Sequence, residues 1–160
     1  MGEVLGKAVG NPLLHWSHLE LKRYFGYNGV LNASTAEEVW QHCNAKLAQP
    51  DMSVRGLIEK SGVEVICTTD DTIDTLEWHK MIAADSSFKT KVYPVWRPDK
   101  AMNIEKPDFT DYLAKLSQAS GVEINSLSSL KEALTKRMDF FGEMQCRVSD
   151  HALEYVYYLW

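Results

Sequence analysis

Lys91 to Ala101 reads KVYPVWRPDKA. Its apolar run, Val92 to Trp96, stops where charge begins, with Arg97 before Pro98 and Asp99 and Lys100 after it. A run this short, closed by proline and charge, predicts a buried strand that delivers an arginine to the rim of a sheet. Two other runs end in the same way. Val63 to Thr69 leads into Asp70 and Asp71, and Met144 to Val148 leads into Ser149, Asp150 and His151. Helical patterns separate the three runs, so the strands must be parallel and joined by right-handed crossovers. The expected fold class is α/β, a partial TIM-type β/α barrel preceded by a helical subdomain.

The helical part is expected over residues 1–62 and the partial barrel over 63–160. Asn11-Pro12 opens a helix, because asparagine caps free N–H groups and proline at the first helical position loses no hydrogen bond. The helix runs through Leu13 to Tyr24 and closes at Gly26. Ser34 with Glu37, or Thr35 with Glu38, fits a capping box before a helix whose apolar face is Ala36, Val39, Trp40, Cys43 and Leu47. Ser53 caps a short helix that Gly62 stops. In the second part Asp74 and Glu77 fit a capping box for a helix through Trp78, Met81 and Ile82. Asp108 caps one carrying Phe109, Tyr112, Leu113 and Leu116, and a stripe of Leu127, Leu130, Leu134, Met138 and Phe141 makes a third. The periodic aromatics, Trp40 and Trp78 among them, read as core. Ala152 to Trp160, ALEYVYYLW, is helix-like and apolar with nothing to finish it. Three parallel strands close no barrel and leave edges open, so the expectation is a truncated segment.

Bulk properties exclude several partners. Of 160 residues 24% are charged, and the net charge of −5 comes with Lys and Arg scattered rather than clustered, which argues against nucleic acid. No run approaches the ~20 apolar residues of a membrane span, and the first ten residues do not make a signal peptide. Cys43, Cys67 and Cys146 lie far apart in apolar stretches, as expected of reduced, buried thiols in a cytoplasmic protein.

Read in order, NPLLHWSHLELKRYFG (11–26), STAEEVW (34–40), CTTDD (67–71), IDTLEWH (73–79), VYPVWRPDKAMNIE (92–105), ALTKRMDFF (133–141) and CRVSDHAL (146–153) closely resemble the uronate isomerases, metal-dependent β/α-barrel enzymes of the amidohydrolase superfamily. The resemblance implies that this chain covers the end of a helical insertion after barrel strand one, followed by strands two to four. It implies aldose–ketose isomerisation of hexuronates in uronate catabolism, D-glucuronate to D-fructuronate or D-galacturonate to D-tagaturonate, and does not exclude an oligomer. It also implies a divalent metal, zinc, held by a His-x-His pair and an aspartate. None of the five histidines forms such a pair, so the metal ligands are expected outside this chain, which alone would be inactive. By the same resemblance Arg97 in WRPDKA binds the substrate carboxylate, and Asp150 in SDH accepts hydrogen bonds from sugar hydroxyls.

Each of these residues has a structural alternative. Arg97 can pair with Asp99 or Asp71 as a rim ion pair, and Asp150 can be a helix N-cap. His151 can orient Asp150, face the site or point away. Asp70 and Asp71 can line the site rim, where paired carboxylates do acid/base work, or simply finish a strand and its turn. His15 and His18 share a helix face but lack a third ligand, which favours packing beside Trp16. Two other functions remain open on the sequence: another metal-dependent barrel of the superfamily that hydrolyses an acidic substrate, and a non-catalytic truncated protein.

Overall fold

A computed structural model describes residues 2–5 and 7–152. The chain divides into two compact units, Met1–Val63 and Glu64–Trp160. The first contains α1 (Gly2–Leu5), α2 (Pro12–Phe25), α3 (Ala36–Leu47), a 3-10 turn (Pro50–Met52) and α4 (Val54–Lys60). Asn11 caps α2 through its side chain, which accepts from the Leu13 amide, and Gly26 ends it in the left-handed conformation at φ 69°. Ser53 caps α4 by accepting from Gly56. Neither predicted capping box forms before α3. Thr35 occupies the N-cap, but its hydroxyl donates to the Val30 carbonyl and accepts from the Asn32 amide, so it closes the preceding loop.

Leu5, Leu21, Leu31 and Val39 form the core of this unit, flanked by Leu14, Phe25, Tyr27, Ala36 and Cys43. Trp40 is not part of it and is 63% exposed. One residue along a helix is ~100° of rotation, so seating Val39 turns Trp40 outward. Trp78 is exposed as well, which corrects the reading of both as core, and Trp16, expected to pack beside His15 and His18, is also exposed.

The second unit holds the parallel strands. β1 (Val65–Cys67) pairs with β3 (Lys91–Tyr93), and β2 (Asp70–Asp71) pairs with β4 (Trp96–Arg97), with Asp70 opposite Trp96 and Asp71 opposite Arg97. Each predicted strand is thus split in two, at Thr68-Thr69 and at Pro94-Val95. Burial alternates along β1, leaving Val65 and Cys67 on the open face, so Cys67 is exposed rather than buried. The third predicted strand is reduced to a single parallel bridge between Trp96 and Ser149. The end of a helix has taken its residues: Cys146 donates its amide to Phe141 and Gln145 donates to Gly142, with Gln145 at φ 66°. Backbone committed to a helix terminus has nothing left to pair in a sheet. The architecture is therefore α/β with a few short parallel strands, and among the described residues no barrel closes. Residues 153–160, which carry most of the predicted C-terminal helix, lie outside the described residues.

Among the described residues this unit also contains α5 (Glu77–Ala84), α6 (Asp99–Met102), α7 (Phe109–Ser120) and α8 (Leu127–Glu143). Asp74 does not cap α5, since its carboxylate accepts from the Asp71 amide and closes the turn after β2. Asp108 stands at the N-cap of α7 but makes no side-chain bond there. α8 begins with a Ser126–Ser129 capping box. Its inward face is Leu130, Ala133, Leu134, Arg137 and Phe141, while the predicted stripe members Leu127 and Met138 are exposed. Two apolar clusters result. Ala101, Tyr112, Leu116, Val122 and Ala133 join α6, α7 and α8, and Leu76, Trp96 and Phe141 join β4 to α8.

Phe141 is 0% exposed, and its ring meets Trp96 edge-on at 5.1 Å. Phe141→Ala is expected to destabilise the protein by about 3–5 kcal/mol, read as a lowered urea midpoint. Trp40→Ala, on an exposed surface, is expected to stay within about 0.5 kcal/mol of the parent.

Candidate functional site

Three strand ends carry the candidate residues to one rim. The Trp96 amide donates to the Val148 carbonyl, and the Asp150 amide donates to the Trp96 carbonyl. With β2 on the other side, Asp71, Arg97 and Asp150 come to the ends of adjacent parallel segments. Arg97 and Asp150, singled out separately in the sequence, are bonded to each other. Arg97 Nε donates to Asp150 Oδ1 at 2.9 Å and Nη2 donates to Oδ2. This two-bond fork leaves three of the five guanidinium N–H groups for other acceptors. The pair is partly open to solvent, with 34% and 41% of the two side chains exposed. The Arg97 fork holds the Asp150 carboxyl below the usual carboxylate range, and Asp150 in turn raises Arg97.

Asp99 backs this pair. Its Oδ2 lies 3.6 Å from Arg97 Nε, and its carboxylate accepts from the Ala152 amide at 3.1 and 3.2 Å. His151 turns toward Asp99, with Nδ1 3.6 Å from Oδ1, and 52% of its side chain is exposed. Beside the rim, a cavity of about 490 Å³ is lined by Trp96, Phe141, Cys146, Val148, Ser149 and His151 among others.

Asp70 and Asp71 diverge. Asp70 is 9% exposed and faces inward. Its Oδ2 accepts from the Val95 amide at 3.1 Å and from the Thr68 hydroxyl at 2.6 Å. His79 Nε2 lies 2.8 Å from the same hydroxyl. A hydroxyl whose proton goes to Asp70 accepts from the imidazole, so His79 carries its proton on Nε2. Asp71 instead accepts from the Ile73 amide, the Tyr112 hydroxyl at 2.7 Å and Lys100 Nζ at 2.9 Å. That contact raises Lys100 above the ordinary lysine value, and burial pushes the Tyr112 phenol upward. Thr72, fully buried, bonds to Tyr112 through its hydroxyl at 2.5 Å.

Among the buried polar residues that sequence reasoning passed over are His79 and Arg137. Arg137 Nε donates to the Thr72 carbonyl at 2.8 Å and Nη2 to that of Asp74 at 2.7 Å, and the guanidinium lies 4.3 Å from the Phe140 ring centre. It straps α8 to the turn after β2. The only sequence signal was its place on the α8 stripe beside Ala133 and Leu134. In the first unit His18 has both nitrogens engaged, Nε2 accepting from the Leu31 amide at 3.0 Å and Nδ1 donating to the Leu14 carbonyl at 2.6 Å. His15 stays exposed, so the two do not act as a ligand pair. Among the described residues no three His, Cys, Asp or Glu side chains converge on a metal position. The divalent metal implied by the resemblance finds no donor set there.

The glucuronate isomerase family model matches residues 1–160. A uronate isomerase of Lachnoclostridium phytofermentans is 66% identical over 156 residues, covering 98% of this chain and 34% of that protein. One from Serratia proteamaculans is 54% identical, covering 94% of this chain and 32% of the relative. Among solved structures, the uronate isomerase of Thermotoga maritima superposes with a TM-score of 0.86 at 38% identity, over 99% of this chain and 35% of that one. The glucuronate isomerase of Caulobacter crescentus gives 0.80 at 25% identity, over 90% and 30%. The chain therefore spans about a third of the length of the relatives it matches.

The Arg97–Asp150 fork has a pH signature. A carboxyl whose folded pKa is depressed adds stability that is present above its unfolded value, about 3.9, and is lost as pH falls through the folded value. Arg97→Ala is expected to return the Asp150 carboxyl upward toward the ordinary carboxylate value in an NMR titration. An unmoved Asp150 titration contradicts the fork.

Proposed function

The chain belongs to the glucuronate isomerase family, and from that premise we propose that it is a segment of a uronate isomerase, contributing strands two to four of a β/α barrel and part of its substrate rim. The complete enzyme interconverts aldose and ketose hexuronates, D-glucuronate with D-fructuronate and D-galacturonate with D-tagaturonate. The observation that carries the reading is the parallel register that brings Arg97 and Asp150 together at the strand ends, where barrel enzymes keep their sites.

Isomerisation moves a proton between C2 and C1 of the open-chain sugar, so the chain of carbons must be held still relative to the proton-transferring group. The substrate's carboxylate, at the far end from C1, is the natural handle. In this reading Arg97 binds it through the N–H groups that Asp150 leaves unused, by the charge-assisted geometry that a guanidinium offers and an ammonium does not. Asp150 fixes the plane of the guanidinium, and its second lone pairs accept from sugar hydroxyls. His151 and Asp71 stand at the edge of the same rim and Asp70 behind it. The family's metal, zinc in this reading, is held by residues outside this chain.

In the complete enzyme, Arg97→Ala is expected to lower kcat/KM for glucuronate by about 10²-fold or more, the worth of two hydrogen bonds to a charged group, with fold and metal content retained. An unchanged kcat/KM sinks the assignment. The isolated 160-residue chain is expected to leave glucuronate unconverted by NMR.

A further inference from the structure

We propose that His79, Thr68 and Asp70 form a positioning relay that sets where Arg97 sits and thereby tunes uronate binding. The proposal rests on the function just stated and assigns it residues that do not touch substrate. The relay begins from a gap in the sheet. Between β3 and β4 stand Pro94 and Val95. The neighbouring strand is broken at the same level, between β1 and β2. Asp70 closes the gap by holding both backbone groups of Val95: its amide donates to the Val95 carbonyl at 3.3 Å, and its carboxylate accepts the Val95 N–H at 3.1 Å. A regular parallel ladder would send that N–H to a backbone carbonyl.

The same carboxylate oxygen is fixed by the Thr68 hydroxyl, and Thr68 by His79. Thr68 is itself anchored, its amide donating to the Tyr93 carbonyl at 3.1 Å. His79 Nε2 also stands 3.7 Å from Asp70 Oδ1. His79 and Asp70 are 8% and 9% exposed, and Pro94 is fully buried. A carboxylate is expensive to place in such surroundings, and an ordinary ladder bond would serve stability alone at less cost. What the carboxylate adds is direction. It fixes Val95 one residue before Trp96 and two before Arg97, and Trp96 is the residue whose backbone carries Asp150. A displacement at Val95 is thus passed to both members of the rim pair.

The test is a set of double-mutant cycles in the complete isomerase, with kcat and KM for glucuronate normalised to folded, metal-loaded protein. His79→Leu is expected to lower kcat/KM about tenfold or more, chiefly through KM, because misplacing a binding group by a fraction of an ångström suffices. His79→Gln, which keeps an N–H donor, is expected to recover most of that loss. In the Arg97→Ala background neither substitution is expected to have a further effect, since the group they position is gone. Equal losses with and without Arg97 overturn the proposal, as does a His79→Leu enzyme with parental KM. If His79→Leu does not fold, His79→Gln and Asp70→Asn are compared in the two backgrounds by the same criterion. Arg97→Ala with no effect of its own overturns the function reading instead, so the two failures are distinct.

Discussion

Trp96 is held from several directions. Asp70 is its register partner in the neighbouring strand, while its own amide and carbonyl are taken by Val148 and Asp150 on the opposite edge. Its ring, 6% exposed, packs edge-on against Phe141 in α8. Its backbone therefore ties the 148–150 segment to β4, and its side chain sets the distance to the covering helix. The rim depends on both. Arg97 is the next residue after Trp96, and Asp150 reaches Arg97 because its own amide is bonded to Trp96. A smaller side chain at position 96 would keep the backbone bonds but leave α8 without its edge-on contact, and α8 also carries Arg137 to the turn beyond β2.

Strand geometry also decides what the adjacent aspartates can do. Successive side chains of a strand point to opposite faces. Asp70 goes inward to Thr68, His79 and the Val95 amide, while Asp71 goes to Tyr112, Lys100 and the turn at Ile73. The two carboxylates thus hold separate sets of partners on opposite faces of the strand. Asp71 neutralises a lysine and satisfies a buried phenol. Asp70 takes the Val95 N–H where the ladder between the split strands is broken. Both duties are tied to the strand ends, and both leave the open positions of the rim to Arg97 and Asp150.

Signals that act over a few residues were legible in the sequence. The Asn11-Pro12 start, the Ser53 cap and the Gly26 stop each work through backbone within one turn, and each stands as read. So does the placement of Arg97 at a strand end. The misreadings share one cause, which is that a distant partner decided the matter. Asp74 has the spacing of a helix cap, but the Asp71 amide claims its carboxylate first. Met144 to Val148 has the composition of a strand, but the carbonyls at the end of α8 capture the amides of Met144, Gln145 and Cys146. Trp40 and Trp78 keep helical period, yet no facing surface covers them. His79 and Arg137 could not be recognised because their partners lie 11 and 65 residues away, and no local pattern marks a side chain that bonds across the fold.

The rim pair explains why its cation is an arginine. A lysine at position 97 could meet Asp150, but a single ammonium has no second fork to present once that contact is made. The guanidinium is planar, and its Nε and Nη2 edge is committed to Asp150 while the Nη1 side stays available. Binding one carboxylate thus orients the group for another. The Asp150 side chain is 41% exposed, and the bond to Arg97 holds its carboxyl below the usual carboxylate range. If Arg97 receives the carboxylate of a uronate, the Asp150 bond has already removed the rotational freedom that binding would otherwise have to restrict. The same bond keeps the positive charge of Arg97 from being exposed alone when the site is empty. Asp150 thereby holds the arginine in plane, with the Nη1 side of the guanidinium left open.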